Sequence, residues 1–184
     1  SLNQFNDSTT REFRNAISQM LLEKSTGVII DVRGNGGGYL DTSIDVLSEL
    51  IEKDKPLAII KRRDTSLNEV ITAKGDARLA DIPLVVLTNK GSASASEILA
   101  GAIQDHKRGI IIGEKTFGKG SVQELIKLKD GSLLRSTIAK WFTPLDRSID
   151  EVGITPDLEV KYTEEDDKAG RDPQLDAAVK QLNK

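Results

Sequence analysis

Four short runs of apolar, mostly β-branched residues are the feature that most constrains the fold of this chain. They lie at 28–32, 57–60, 83–87 and 109–112. Segments with apolar side chains at helical spacing precede or separate them, at 9–21, 40–53 and 94–106. Strands that are apolar throughout are typical of sheets covered by helices on both faces. The order of elements therefore predicts a layered α/β fold.

The rest of the chain predicts additions to this sheet within one domain spanning 1–184. The polar stretch 61–80 indicates a hairpin or cap, and the alternation at 121–128 with its return at 132–142 predicts a second hairpin. The acidic stretch 162–172 predicts a loop. A last helix is expected over 173–183, because Pro173 suits a first helical turn.

The composition excludes several classes of function. Lys and Arg number 26 against 29 Asp and Glu, a net charge of −3, which provides no basic footprint for nucleic acid or an anionic membrane. There is no cysteine and only one histidine, so thiol chemistry is excluded and a metal site has little support. No apolar run reaches the ~18–20 residues that span a bilayer. We expect no metal, no cofactor and no integral membrane segment.

A nucleophilic serine is one interpretation of the segment NKGSASASE at 89–97, which links a predicted strand to a predicted helix. The free N–H groups and dipole of a helix N-terminus stabilise negative charge that develops on a hydroxyl there. The alternative is a serine-rich helix cap, in which Glu97 follows Ser94 at capping-box spacing. This segment alone favours the structural alternative.

A serine nucleophile needs a base. The only histidine, His106, follows Ser94 by twelve residues. That separation is ~18 Å along a regular helix, so a Ser–His–Asp triad is disfavoured. Lys119 stands between two glycines in GEKTFGKGSVQ at 113–123, and glycines allow close backbone approach. A lysine in a glycine-rich turn is, on its own, more often structural or exposed.

Two glycine-rich segments raise the question of nucleotide binding. Gly113, Gly118 and Lys119 have P-loop spacing, but Gly120 stands where that motif needs Ser or Thr, and a strand pattern follows. The segment GNGGG at 34–38 lacks the dinucleotide-binding register. It is either a flexible turn or a run of backbone N–H groups exposed to an oxyanion or a peptide.

In combination, the motifs give the chain a resemblance to the carboxyl-terminal processing proteases. The matching segments are DVRGNGGG at 31–38, NKGSASASEILAGAIQD at 89–105 and GEKTFGKGSVQ at 113–123. Weaker similarity continues through WFTP at 141–144, VGITPDLEV at 152–160 and DPQLDAAVKQL at 172–182. The resemblance covers nearly the whole chain and implies a crotonase- or Clp-protease-like spiral of strands and helices.

The resemblance also implies an activity and a set of residues. The activity is that of a serine endopeptidase that cleaves peptide bonds near protein C-termini with a Ser–Lys dyad. The family nucleophile falls on Ser94, the general base on Lys119 and the residue that assists the lysine on Gln123. The implied oxyanion donors are the backbone N–H of Ala95 and one in the Gly37–Gly38 turn.

This mechanism places a demand on Lys119, because a lysine amine accepts a proton only when it is neutral. Desolvation favours the neutral form. We therefore expect the ammonium group to be buried, with Phe117 as an apolar wall. We also expect a bend, permitted by Gly120, that brings Gln123 to Lys119.

By the same resemblance, the partners are C-terminal segments of proteins, and the location is extracytoplasmic: periplasm, cell envelope or secreted. The family usually carries a PDZ domain, whose pattern is not visible in this sequence. Self-association is left open. Two alternatives remain: a non-catalytic module that binds peptides or ligands on the same fold, and a non-proteolytic acyl-transfer enzyme.

Overall fold

The chain forms two four-stranded sheets with helices packed around them, in a computed structural model that describes residues 1–184, Leu125 by its backbone only. The strands are β1 (Val28–Asp31), β2 (Pro56–Arg62), β3 (Glu69–Thr72), β4 (Leu84–Thr88), β5 (Ile110–Gly113), β6 (Ser121–Lys127), β7 (Leu133–Phe142) and β8 (Leu158–Glu159). The helices are α1 (Thr9–Leu22), α2 (Leu40–Leu47), α3 (Ala95–Asp105), α4 (Glu164–Lys168) and α5 (Pro173–Leu182).

The first sheet is parallel, in the order β1-β4-β5-β8, and is covered on both faces. Successive side chains of a strand point to opposite faces. On one face, Val86 and Ile111 join the large core that includes α3. On the other face, Val85 and Ile112 pack with Ala178 of α5. The predicted layered α/β architecture is therefore confirmed.

The second sheet is antiparallel, in the order β3-β2-β7-β6. Within 61–80, where a hairpin or cap is expected, the only strand segments are β3 and the end of β2, because the β2–β3 hairpin begins at Pro56. The hairpin expected over 121–142 is formed by β6 and β7. The sheet buries Ala139 and Trp141 against the main core, while Leu133 and Leu134 near the hairpin turn are exposed. This hairpin follows directly after Lys119.

The loops after β1 and β4 lie side by side, because parallel strands end at the same edge of a sheet. Three hydrogen bonds join them. Ala93 N donates to Asn35 O (3.0 Å), Ser92 Oγ donates to Val32 O (2.7 Å) and Gly34 N donates to the side-chain oxygen of Asn89 (2.8 Å). The two motifs predicted to carry chemistry are thereby fixed against each other.

Three elements differ from the sequence-based expectation. Helix α2 ends at Leu47, not at 53, because the chain turns at Ser48, whose Oγ accepts a hydrogen bond from Lys74 N at 3.0 Å. The predicted loop 162–172 contains α4, whose N-cap is Thr163. Strand β8 has two residues and was not predicted. Among the described residues, no helix has the length and apolar character needed to cross a membrane.

Candidate active site

Ser94 occupies the turn between β4 and α3, directly before the first helical residue. Its backbone has φ 55° and ψ −115°, a region that non-glycine residues rarely adopt and that clusters at functional sites. Ser92 and Ser96 are fully buried, and their hydroxyls donate to the backbone oxygens of Val32 and Asn35. Of the three serines in the motif, only the half-buried Ser94 is accessible for chemistry.

The glycine loop after β1 lies directly against Ser94. A Cβ placed on Gly37 would lie 2.8 Å from Ser94 Cβ and 3.1 Å from Ala95 N, closer than side chains pack. Gly37 also has φ 104°, which favours glycine. The sequence therefore needs glycine at this position to bring the loop backbone next to the serine.

The backbone amides around this contact differ in whether they already have an acceptor. Asn35 is fully buried, and its Oδ1 accepts from Gly37 N at 2.8 Å, so the amide of Gly37 is already engaged. Among the described hydrogen bonds, none uses the amides of Gly38 or Ala95 as donors. Of the glycine pair named from the resemblance, Gly38 is the one with an available N–H group.

Glu97 joins the serine turn to the lysine segment. Its carboxylate is fully buried and accepts four hydrogen bonds. Oε1 accepts from Thr116 Oγ1 (2.6 Å) and Gly118 N (2.6 Å), and Oε2 accepts from Ser94 N (2.9 Å) and Lys119 N (2.8 Å). Since one oxygen binds both amides, the backbone nitrogens of residues 94 and 119 lie within about 6 Å of each other.

The side chain of Lys119 points outward. Burial alternates along residues 115–120: the odd-numbered residues are exposed, whereas Thr116, Gly118 and Gly120 are buried. The expectation of a buried ammonium group behind Phe117 is wrong in this structure, since Lys119 is exposed and Phe117 is 68% exposed. The cause is that Thr116 and Gly118 bind the buried Glu97, which leaves the side chains of the odd-numbered residues on the outer side.

Gln123 lies on β6, one residue beyond an irregularity in the β6–β7 pairing, and is exposed. No described hydrogen bond joins the Lys119 amine to Ser94 Oγ or to Gln123. The structure thus brings the backbones of residues 94 and 119 together without joining their side chains. The bend predicted to unite Lys119 with Gln123 stays a prediction.

The described residues offer little support for a histidine base or a metal site near Ser94. His106 is the C-cap of α3, at the far end of that helix from Ser94, and its Nε2 lies 2.6 Å from Pro56 O. It is held structurally, as its sequence position indicated. Among the described residues, no group of three or more His, Asp or Glu could hold a metal ion.

The chain belongs to peptidase family S41, whose family model matches residues 1–160. It is 43% identical over 156 residues to a carboxyl-terminal-processing protease of Synechocystis sp., covering 85% of this chain and 36% of that protein. It is 37% identical over 156 residues to a chloroplastic C-terminal processing peptidase of Tetradesmus obliquus, covering 85% of this chain and 33% of that protein. The chain thus spans about a third of the length of these curated relatives.

Solved structures agree with the family. A photosystem II D1 C-terminal processing protease superimposes with a TM-score of 0.78 at 37% identity, over 86% of this chain and 41% of that one. The tricorn protease shares the fold with a TM-score of 0.65 at 22% identity, over 100% of this chain and 17% of that one. The expected Clp-protease-like α/β fold and the resemblance to carboxyl-terminal processing proteases are confirmed.

Proposed function

We propose that this chain is the core of a serine endopeptidase that cleaves near protein C-termini, with Ser94 as nucleophile and Lys119 as general base. One observation carries the proposal: Ser94 N and Lys119 N bind the same oxygen of the buried Glu97. The strained backbone of Ser94 at a helix N-terminus adds support. Membership of peptidase family S41 is consistent with this activity.

The proposed cycle begins when Ser94 Oγ attacks the carbonyl carbon of a peptide and passes its proton to Lys119. The N–H groups of Ala95 and Gly38 bind the oxyanion, a contribution typically worth ~3–4 kcal/mol per donor. The C–N bond then breaks as Lys119 returns the proton to the leaving amine. Water hydrolyses the acyl ester and regenerates the Ser94 hydroxyl.

Lys119 must be neutral at the moment of attack, although it is exposed in this structure. A peptide lying over Ser94 would cover the outer side of segment 115–120 and exclude water from the amine. Exclusion of water disfavours the charged form. Gln123, on β6, then orients the amine of Lys119 with its neutral amide, which adds no charge to the site.

The proposed substrates are C-terminal segments of proteins in an extracytoplasmic compartment. The support is the similarity to the carboxyl-terminal-processing protease of Synechocystis sp. and to the chloroplastic C-terminal processing peptidase of Tetradesmus obliquus. Recognition of particular tails can reside in parts that the longer relatives possess and this chain does not span.

The test is product analysis by mass spectrometry after incubation with unfolded or tail-bearing proteins. We expect shortened products with the wild-type chain and none with Ser94→Ala, whose fold should be intact by circular dichroism. Equal turnover by Ser94→Ala would refute the assignment of the nucleophile.

The outward direction of Lys119 favours one second candidate, a peptide-binding module on the same fold. A serine-directed phosphonate distinguishes the two. It labels Ser94 covalently in an active enzyme, whereas a binding module would stay unlabelled while still retaining peptide. Turnover of a thioester substrate without hydrolysis of peptides would identify an acyl-transfer enzyme.

A further inference from the structure

Arg33 is held by three side chains that use all of its N–H donors. A guanidinium group has five such donors. Nε and Nη2 donate to Asp31 (3.0 and 2.7 Å), Nη1 and Nη2 donate to the two oxygens of Asp172 (2.9 and 2.8 Å), and Nη1 also donates to Gln174 Oε1 (3.0 Å). Such a saturated, bidentate arrangement is directional as well as strong.

The hydrogen-bond partners of Arg33 include a neighbour in the sequence, Asp31, and two distant residues, Asp172 and Gln174. Asp31 ends β1, whereas Asp172 is the N-cap of α5, accepting a hydrogen bond from Leu175 N at 2.9 Å. Gln174 is fully buried, and its amide donates to Val160 O at 2.7 Å. The start of α5, which lies beyond the residues matched by the family model, is therefore fixed to the end of β1.

Arg33 directly precedes the glycine loop 34–38, which Asn35 and Gly34 also hold through hydrogen bonds to the loop after β4. Gly34, Gly37 and Gly38 have φ values of 69°, 104° and 141°. Glycine segments lose more conformational freedom on ordering than other residues. A misplacement of about 1 Å at a reacting group can cost ~10²-fold in rate. The contacts of Arg33 fix the chain at the entrance to the loop that carries Gly38.

We propose that Asp172 is a positioning residue: through Arg33 it holds loop 34–38 so that the Gly38 amide faces the nucleophile turn at Ser94. The C-terminal helix α5 then contributes to the catalytic core as well as to the packing of the sheet. The catalytic part of this inference rests on the proposed function. The restraint of the loop by Asp172 does not depend on it.

The test compares Asp172→Asn with Asp176→Asn in the full chain. Asparagine is as good an N-cap as aspartate, so Asp172→Asn keeps α5 while it removes the charge and the bidentate pair. Asp176 lies in the first turn of the same helix and is exposed, so its variant matches the change in charge. The readouts are amide hydrogen exchange of residues 33–39 and the separate values of kcat and KM on a peptide substrate.

We expect Asp172→Asn to raise exchange in the loop and to lower kcat about tenfold or more with KM unchanged. Asp176→Asn should change neither. Loop exchange equal to wild type would overturn the proposal, as would a raised KM with unchanged kcat, or faster exchange with unchanged kcat.

Arg33→Lys provides a second test should Asp172→Asn unfold. Lysine keeps the charge but cannot form the bidentate pair, so the same rise in exchange and fall in kcat are expected. Normal loop exchange in Arg33→Lys would contradict the proposal. A wild-type chain without Ser94-dependent hydrolysis would instead refute the proposed function, and loop exchange would still decide whether Asp172 restrains the loop.

Discussion

At the scale of single residues, the buried Glu97 carboxylate accepts four hydrogen bonds and donates none. An ionised carboxylate accepts at both oxygens, whereas a glutamine amide would present an NH₂ group to two of the four donors. We expect Glu97→Gln to lose activity and to lower the free energy of unfolding by about 2–6 kcal/mol, since two buried donors are left unsatisfied at ~1–3 kcal/mol each. Urea denaturation and a peptide-hydrolysis assay measure both effects.

Glu124→Gln is the matched control for this prediction, because Glu124 is exposed on β6. We expect it to leave stability unchanged. A Glu97→Gln chain as stable and active as Glu124→Gln would show that the buried carboxylate does not organise the site.

The proposed general base is tested by comparing two lysines of segment 115–120. Lys119 and Lys115 are both exposed and share the outer side of residues 115–120. We expect Lys119→Ala and Lys119→Arg to abolish hydrolysis, the latter because arginine stays protonated, whereas Lys115→Ala should retain it. Initial rates on a peptide substrate provide the measurement, and an active Lys119→Arg chain would exclude lysine as the base.

Sequence reasoning placed Ser94 correctly in a strand-to-helix turn because its signals are local: an apolar run before it and a helical pattern after it. It gave Glu97 only a capping role, because the donors to its side chain include groups 19 to 22 residues further along the chain. The direction of the Lys119 side chain is not predictable from the sequence, because it depends on which side of segment 115–120 binds Glu97.

At the scale of elements, the glycine loop after β1 offers a sharp comparison. Gly37→Ala would place a methyl group 2.8 Å from Ser94 Cβ at φ 104°, so the loop and the serine turn must separate. We expect a loss of about 10²-fold in kcat/KM, in line with the cost of small displacements at a reacting group. Steady-state kinetics of the purified variants measure the effect.

Gly36→Ala is the control for this loop. A Cβ at Gly36 meets nothing within 4 Å, and its backbone lies outside the left-handed region. We therefore expect near-normal activity from Gly36→Ala. Comparable losses in both variants would mean that the loop is sensitive to any side chain and that the contact with Ser94 is not the cause.

Element types were predictable from the sequence more reliably than element ends. Helical patterns predict the long helices, and the period-two pattern at 121–128 predicts the hairpin over 121–142. The end of α2 was misplaced because Leu50 and Ile51 remain buried although the chain has already turned. Strand β8 is not predictable from the sequence, because two residues are too few to show an alternation of apolar and polar side chains.

At the scale of the whole molecule, ion pairs between distant segments make stability depend on pH. Glu49, just after α2, forms ion pairs with Arg14 of α1 and with Arg78 in the segment after β3. Hydrogen bonds from Arg78, and to a smaller extent from Arg14, lower the pKa of Glu49. A carboxylate whose pKa is lowered by folding stabilises the protein above its unfolded value of ~4.3. This contribution is lost as the pH falls through the lower folded value.

We accordingly expect the free energy of unfolding to fall as the pH drops below about 5, and to fall less steeply in Glu49→Gln. Urea denaturation at a series of pH values measures the slope. Glu52→Gln is the control, because Glu52 is exposed and its nearest cation, Lys55, is 3.9 Å away. Identical slopes in the wild type and Glu49→Gln would disprove this role for Glu49.

The assignment of strands to sheets could not be predicted from the sequence. The run at 57–60 looks like the other apolar runs, yet it belongs to the antiparallel sheet, paired with β3 and β7. Local pattern shows that a segment is buried and extended. The pairing of β2 with β7 depends on contacts between residues far apart in the sequence, such as Ile60 with Trp141.

The covering of the parallel sheet by α5 has a practical consequence for anyone shortening this chain. A fragment trimmed to the matched residues 1–160 would leave the face formed by Val85, Leu87 and Ile112 in contact with water. An exposed apolar sheet face of this kind promotes aggregation. The smallest unit worth expressing therefore runs through Leu182, further than sequence similarity alone would recommend.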